Sequence, residues 1–267
     1  MKGLMLHCGG QRKTREEVFS VLVPQATKTY APLSFESFIT RIEKQLQVEG
    51  IRVKDEHLAL AKEGQRLFGL MELEFPDFPQ HDYGCVLGLR NSYDKSFATG
   101  VCIGASVFVC DNLSFNSAVT WERKHTPGLL KDMAWMLTET VAQLPIRFAE
   151  QSKTFEQYQR VELDDRQAHH LVIEMFDQGA LNLLDVPKCL KEWREPRHPE
   201  FSDGKTAWRL FNAATETIKG DLWRLPTRTR AIHDVLDAEC NDVIKQTHDL
   251  IGNKDMQTPT SATSPQG

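Results

Sequence analysis

Arg123-Lys124-His125 is the best local basic cluster in this chain, and clustered cations beside a sheet are what a phosphate backbone requires. Arg90, Lys95 and Lys131 lie close enough in the strand-and-helix pattern around it to extend the cluster into a stripe. The candidate nucleic-acid-binding residues are therefore Arg90, Lys95, Arg123, Lys124 and Lys131. Glu122 and Asp132 dilute that charge, and the plainer account of such a run is a solvated loop.

Other combinations carry less. His169 and His170 are neighbours, and neighbouring residues on a helix diverge by about 100°, so both cannot face one ligand. His170 and Glu174 have an i, i+4 spacing suited to a metal, but a solvated helix face explains a lone pair as well. Gly100 and Gly104 belong to no phosphate-loop pattern. No Gly-x-Ser-x-Gly, His-Glu-x-x-His or Walker lysine is present. Trp121 and Trp208 fall at core-facing periods and read as packing residues, not as platforms for bases. The six cysteines, at positions 8, 85, 102, 110, 189 and 240, form no CxxC pair. They read as reduced structural thiols of a cytoplasmic protein, with Cys102 and Cys110 free in one strand. The expectation is a non-enzymatic protein with no cofactor and no metal.

The elements that position the cationic residues are legible between residues 84 and 144. Residues 85–90 form a short apolar run that ends at a cluster of turn formers over 91–96. Residues 101–110 are almost unbroken in apolar and small side chains, as in a strand buried on both faces. Asp111 and Asn112 supply a turn. In the next strand Leu113, Phe115, Ser117, Val119 and Trp121 alternate with polar or small residues. Thr126 and Pro127 then open a helix as N-cap and first helical residue, with Leu130, Met133, Leu137, Val141 and Leu144 in one stripe. Pro145 ends or kinks that helix.

Before this segment, residues 17–23 read as a first strand, Ser34 caps a helix over Phe35–Val48, and strands follow near 58–61 and 67–75. After it, the period changes from two to about 3.6, predicting helices at 155–162, 164–178, 186–193, 207–218 and 229–251. The tail from Asn253 is rich in Thr, Ser, Pro, Gln and Gly and reads as disordered. The fold class is α+β. An antiparallel sheet with a β-β-β-α core occupies a sheet-and-helix module over 1–150. A helical C-terminal region over 151–252 packs on it, and a disordered tail covers 253–267.

The chain has 267 residues, 40% hydrophobic and 26% charged, with a formal net charge of −5. That composition is ordinary for a globular protein, and no apolar run approaches the roughly 20 residues of a membrane helix. Most of the acidic excess lies beyond residue 150, so a nucleic-acid surface has to be a local stripe and not a global field.

Three motifs occur in order: Val107-Phe108-Val109-Cys110-Asp111-Asn112-Leu113, then Arg123-Lys124-His125-Thr126, then a helix running from Thr206 to Glu216 through Trp208, Phe211, Asn212 and Thr215. In this order they resemble the phage/plasmid-like family of unknown function 932, over about residues 60–235. The chain departs from that family at Val107, where members often carry Arg, and at Phe211, where Tyr is usual. The resemblance implies a mobile-element origin and no enzymatic activity. It also implies a core similar to that of single-strand annealing recombinases, which form rings and hold single-stranded DNA in a basic groove. The resulting expectation is a protein that binds single-stranded DNA, self-associates, and anneals strands in recombination. The rival is a protein-binding inhibitor of a host defence or regulatory factor.

Overall fold

In a computed structural model, residues 10–75, 83–107, 112–219 and 224–255 are described. Six strands form one antiparallel sheet in the order β1 (Gln11–Lys13), β2 (Arg52–Ala61), β3 (Arg66–Glu74), β4 (Tyr83–Ser92), β5 (Thr99–Val107) and β6 (Asn112–Arg123). The three strands expected between residues 84 and 123 are β4, β5 and β6, all antiparallel. Around the sheet run α1 (Arg15–Phe19), α2 (Phe35–Val48), α3 (Leu129–Arg160), α4 (Asp165–Asp177), α5 (Val186–Arg194), a short 3-10 turn at Pro199–Phe201, α6 (Ala207–Ile218) and α7 (Leu225–Asp255). The fold is α+β, as expected.

The sheet's inner face carries Leu58, Leu67, Met71, Leu87, Leu89, Val101 and Trp121, all buried. Pairing of Leu67 with Asn91, and of Leu87 with Ile103, keeps these side chains in register on one side. α2 covers that face. Ser34 caps it by accepting a hydrogen bond from the Ser37 N–H, Phe35 stacks on Tyr93 at 4.0 Å, and Phe38 meets the edge of Trp121. Farther along the same face Tyr83 touches Phe148 and Phe155 of α3 and Trp208 of α6. One hydrophobic core thus joins the sheet to the later helices.

Several expectations are corrected. Residues 17–23 are not a strand. Thr14 and Glu17 form a capping box, and the chain turns into α1. Thr126 and Pro127 precede α3, which starts at Leu129 after Gly128, with Thr126 O accepting the Leu129 N–H in a turn. The buried stripe accordingly begins at Leu129, and Leu130 is exposed. Pro145 does not end the helix, which continues to Arg160 and absorbs the separate helix expected at 155–162. An interior proline costs about 3 kcal/mol. The buried Phe148, Phe155 and Tyr158 beyond it return more than that at roughly 2 kcal/mol each. The boundary expected at residue 150 falls inside α3.

The β5–β6 ladder is not continuous. Cys102 pairs with Thr120, but Ile103 pairs with Asn116, where an undisturbed ladder would give Val119. The register thus slips by three residues at that point. α7 extends to Asp255, into the tail expected to be disordered from Asn253; the rest of that tail lies outside the described residues, as does Cys110. Cys85, Cys102, Cys189 and Cys240 are free thiols. No helix among the described residues is long and apolar enough to cross a membrane.

Candidate nucleic-acid interface

The end of the sheet where β4 finishes, β5 begins and β6 runs out gathers the predicted cations from separate segments. Arg90 pairs with Gly100 and Gly100 with Glu122, so Arg90 and Glu122 lie on one face, two strands apart. Their side chains form an ion pair over Gly100, where a Cβ would sit 3.4 Å from Arg90 Nε and from Glu122 Cγ. The next residue, Arg123, reaches across the turn to Asp132 in the first turn of α3, beside Lys131. Lys124 and Lys131 are exposed. Lys95, in the β4–β5 turn at a positive φ of 62°, sets its ammonium 4.3 Å from the Tyr30 ring, and Tyr30 touches His125, which follows Lys124.

His125 itself is not part of the surface. It is buried, its Nε2 lies 3.3 Å from the Thr99 hydroxyl, and that hydroxyl donates to Asn91 Oδ1. Burial holds its imidazole below the usual range, so it stays neutral and ties the β6–α3 corner to the sheet. Asn91 in turn donates to Leu33 O, and Tyr30 donates to Tyr93 O. These bonds fix the platform under the cations.

Sequence reasoning missed Arg66, Phe68 and Phe97. Arg66 pairs with Asp94 at 2.7 Å. The Phe97 ring contacts Phe68 at 5.4 Å and lies 6.0 Å and 5.6 Å from the guanidiniums of Arg66 and Arg90. The available signal was the aromatic Phe97 directly after the turn-forming run 91–96, in a segment that folds back over the sheet. In all, Arg66, Arg90, Lys95, Arg123, Lys124 and Lys131 stand against Asp94, Glu122 and Asp132, a local excess of positive charge in an acidic chain.

Other polar clusters lie elsewhere among the described residues. Between α3 and α7 the buried Tyr158 hydroxyl donates to Asp237 Oδ1 at 2.6 Å and lies 3.0 Å from His233 Nδ1. Burial pushes His233 down to about 4 and Asp237 upward. On the outer face of β2 and β3, Asp55, His57 and Glu72 bring three ligand atoms within 4.8 Å of one another. The sequence-derived pair His170 and Glu174 is an exposed i, i+4 contact at 3.2 Å on α4. Trp208, Phe211, Asn212 and Thr215 are buried within α6. Asn212 Nδ2 donates to Trp208 O and the Thr215 hydroxyl to Phe211 O, so this motif packs helices.

The fold and this corner define an α+β protein whose antiparallel sheet ends in a cationic rim. The chain belongs to the family described as a domain of unknown function (DUF932), whose sequence model matches residues 25–237. No curated protein and no solved structure matched the chain.

Proposed function

We propose that the cationic rim binds single-stranded DNA with weak sequence preference, in a mobile-element protein that anneals strands during recombination. The observation that supports this is the convergence of Arg90, Lys95, Arg123 and Lys131 from separate segments on one end of the sheet, in a chain whose net charge is −5. A local stripe of this kind follows a phosphate backbone while the bases splay away from it to meet a complement. The ion pairs at Glu122 and Asp132 are partly exposed, and exposed pairs contribute about 0–1 kcal/mol, so a phosphate oxygen exchanges for a carboxylate at small cost. Self-association belongs to this reading, with the edge strand β1 as a pairing surface, since α7 packs against β6.

The test is fluorescence anisotropy with labelled oligonucleotides of several sequences. Replacing Arg123 and Lys124 with Ala weakens binding equally for all sequences and makes the salt dependence shallower by about one to two counterions, with circular dichroism showing the variant folded. One observation favours the rival, a protein-binding inhibitor: α3 exposes Leu130, Trp135 and Ile146. A wild-type protein that binds no oligonucleotide at low salt overturns the DNA reading in favour of that rival.

A further inference from the structure

We propose that Asp55, His57 and Glu72 form a binding site for one divalent transition-metal ion of the zinc type on the outer face of the sheet. His57 is two residues after Asp55, so both side chains leave β2 on the same side. Asp55 is paired directly with Glu72 of β3. A register irregularity between Val53 and Asp55 immediately precedes the cluster, and bulges of this kind re-aim side chains. His57 Nε2 lies 3.4 Å from Asp55 Oδ2 and 3.8 Å from Glu72 Oε1. Ligands at about 2.0–2.2 Å from a tetrahedral zinc ion stand roughly 3.3–3.6 Å apart, so the two His57 distances already nearly fit, and the third, within 4.8 Å, closes by rotation of the exposed Asp55 side chain.

The electrostatics point the same way. Two carboxylates directly opposed across an antiparallel pair repel each other, and a cation between them removes that repulsion. The neighbouring cation Arg12 sits on the far side of the imidazole, its guanidinium 3.3 Å from His57 Nδ1. A guanidinium can only donate, so Nδ1 accepts and the proton resides on Nε2, the atom that faces the two acids. The metal takes the place of that proton. Loading the site transfers the imidazole proton to Nδ1 and moves Arg12 aside, on a strand of only three residues. Arg12 is therefore a built-in competitor. His57 is buried to 8% side-chain exposure while Asp55 is 55% exposed, so the ion enters from the Asp55 side. Three protein ligands leave a coordination position for water.

The inference is independent of DNA binding and is tested on the full-length chain stripped with chelator, by competition for Zn2+ against a chromophoric chelator. One ion per chain is expected. Asp55→Asn and Glu72→Gln, which leave the buried imidazole in place, should each lower the affinity by about tenfold or more. Arg12→Gln supplies an acceptor for Nδ1–H and should raise it. The double variant D55N/E72Q controls for the other histidines, with circular dichroism confirming its fold. Equal affinity in the wild type and this double variant, or no gain in Arg12→Gln, overturns the proposal.

Discussion

Arg90 on β4 and Glu122 on β6 belong to strands that are not neighbours, yet their side chains meet over Gly100, whose missing Cβ leaves the passage open. Arg123 and Asp132 repeat the arrangement one residue on, between the strand end and the helix start. In the proposed reading, a phosphate would have to displace each carboxylate from its guanidinium.

Removing those carboxylate charges is expected to strengthen oligonucleotide binding. Glu122→Gln and Asp132→Asn should each tighten it by about two- to fivefold at low salt, an effect that fades as ionic strength rises. Anisotropy titrations at two salt concentrations check this; unchanged affinity in both variants would remove Arg90 and Arg123 from the interface.

Acid should loosen the contact between α3 and α7. His233 has an ordinary value of 6.5 and is pushed to about 4 by burial, so the unfolded chain binds the proton first. The stability contributed by the neutral ring is complete above about pH 6.5 and is lost as pH falls towards about 4. Asp237, shifted upward by burial, protonates early in the fold and offsets part of the loss. Urea midpoints measured from pH 7.5 to 4.5 should fall for the wild type and fall less for His233→Gln.

The buried ion pair between Arg228 of α7 and Asp185 at the start of α5 lies at 2.5 Å, and Arg228 Nε also donates to Ala180 O at 2.6 Å. Arg228→Met leaves the buried Asp185 carboxylate with only the Asn182 N–H and the more distant Lys188 ammonium and should cost about 2–4 kcal/mol. The double change Arg228→Met with Asp185→Asn should cost less than the sum. Additive losses in chemical denaturation would show that the pair is not coupled.

Where local chemistry decides the structure, the sequence was readable. Ser34 marks the start of α2, because its side-chain oxygen satisfies a free N–H at the helix start. Thr206 caps α6 in the same way, although the helix over 207–218 is predicted by its period of about 3.6 and not by that cap. The capping box of Thr14 and Glu17 carried the same signal and was masked by the apolar run at 18–23. β1 is three residues long, too short for any periodicity, and its pairing with Leu58, Ala59 and Leu60 is purely tertiary. Pro145 and the slip in β6 are also tertiary outcomes, in which packing and register override local preference. At the candidate rim, residue types revealed the cations and the diluting acids. Which acid meets which cation, and the fold-back of Phe97 onto Arg66 and Arg90, depend on cross-strand register. Asp55, His57 and Glu72 were invisible for the same reason: their proximity exists only once β2 and β3 have paired.

The order of strands in the sheet is their order along the chain, and this bears on how the molecule is born. Every ladder joins strands that are consecutive in the sequence; those from β2 to β6 close short loops, whereas β1 meets β2 only across the segment that holds α1 and α2. A chain emerging from the ribosome adds strands one after another, with a single growing edge at any moment. α2, which precedes β2 in the chain, is synthesised before the part of the apolar face that it covers. The part around Tyr83 is closed only by α3 and α6, which follow the last strand.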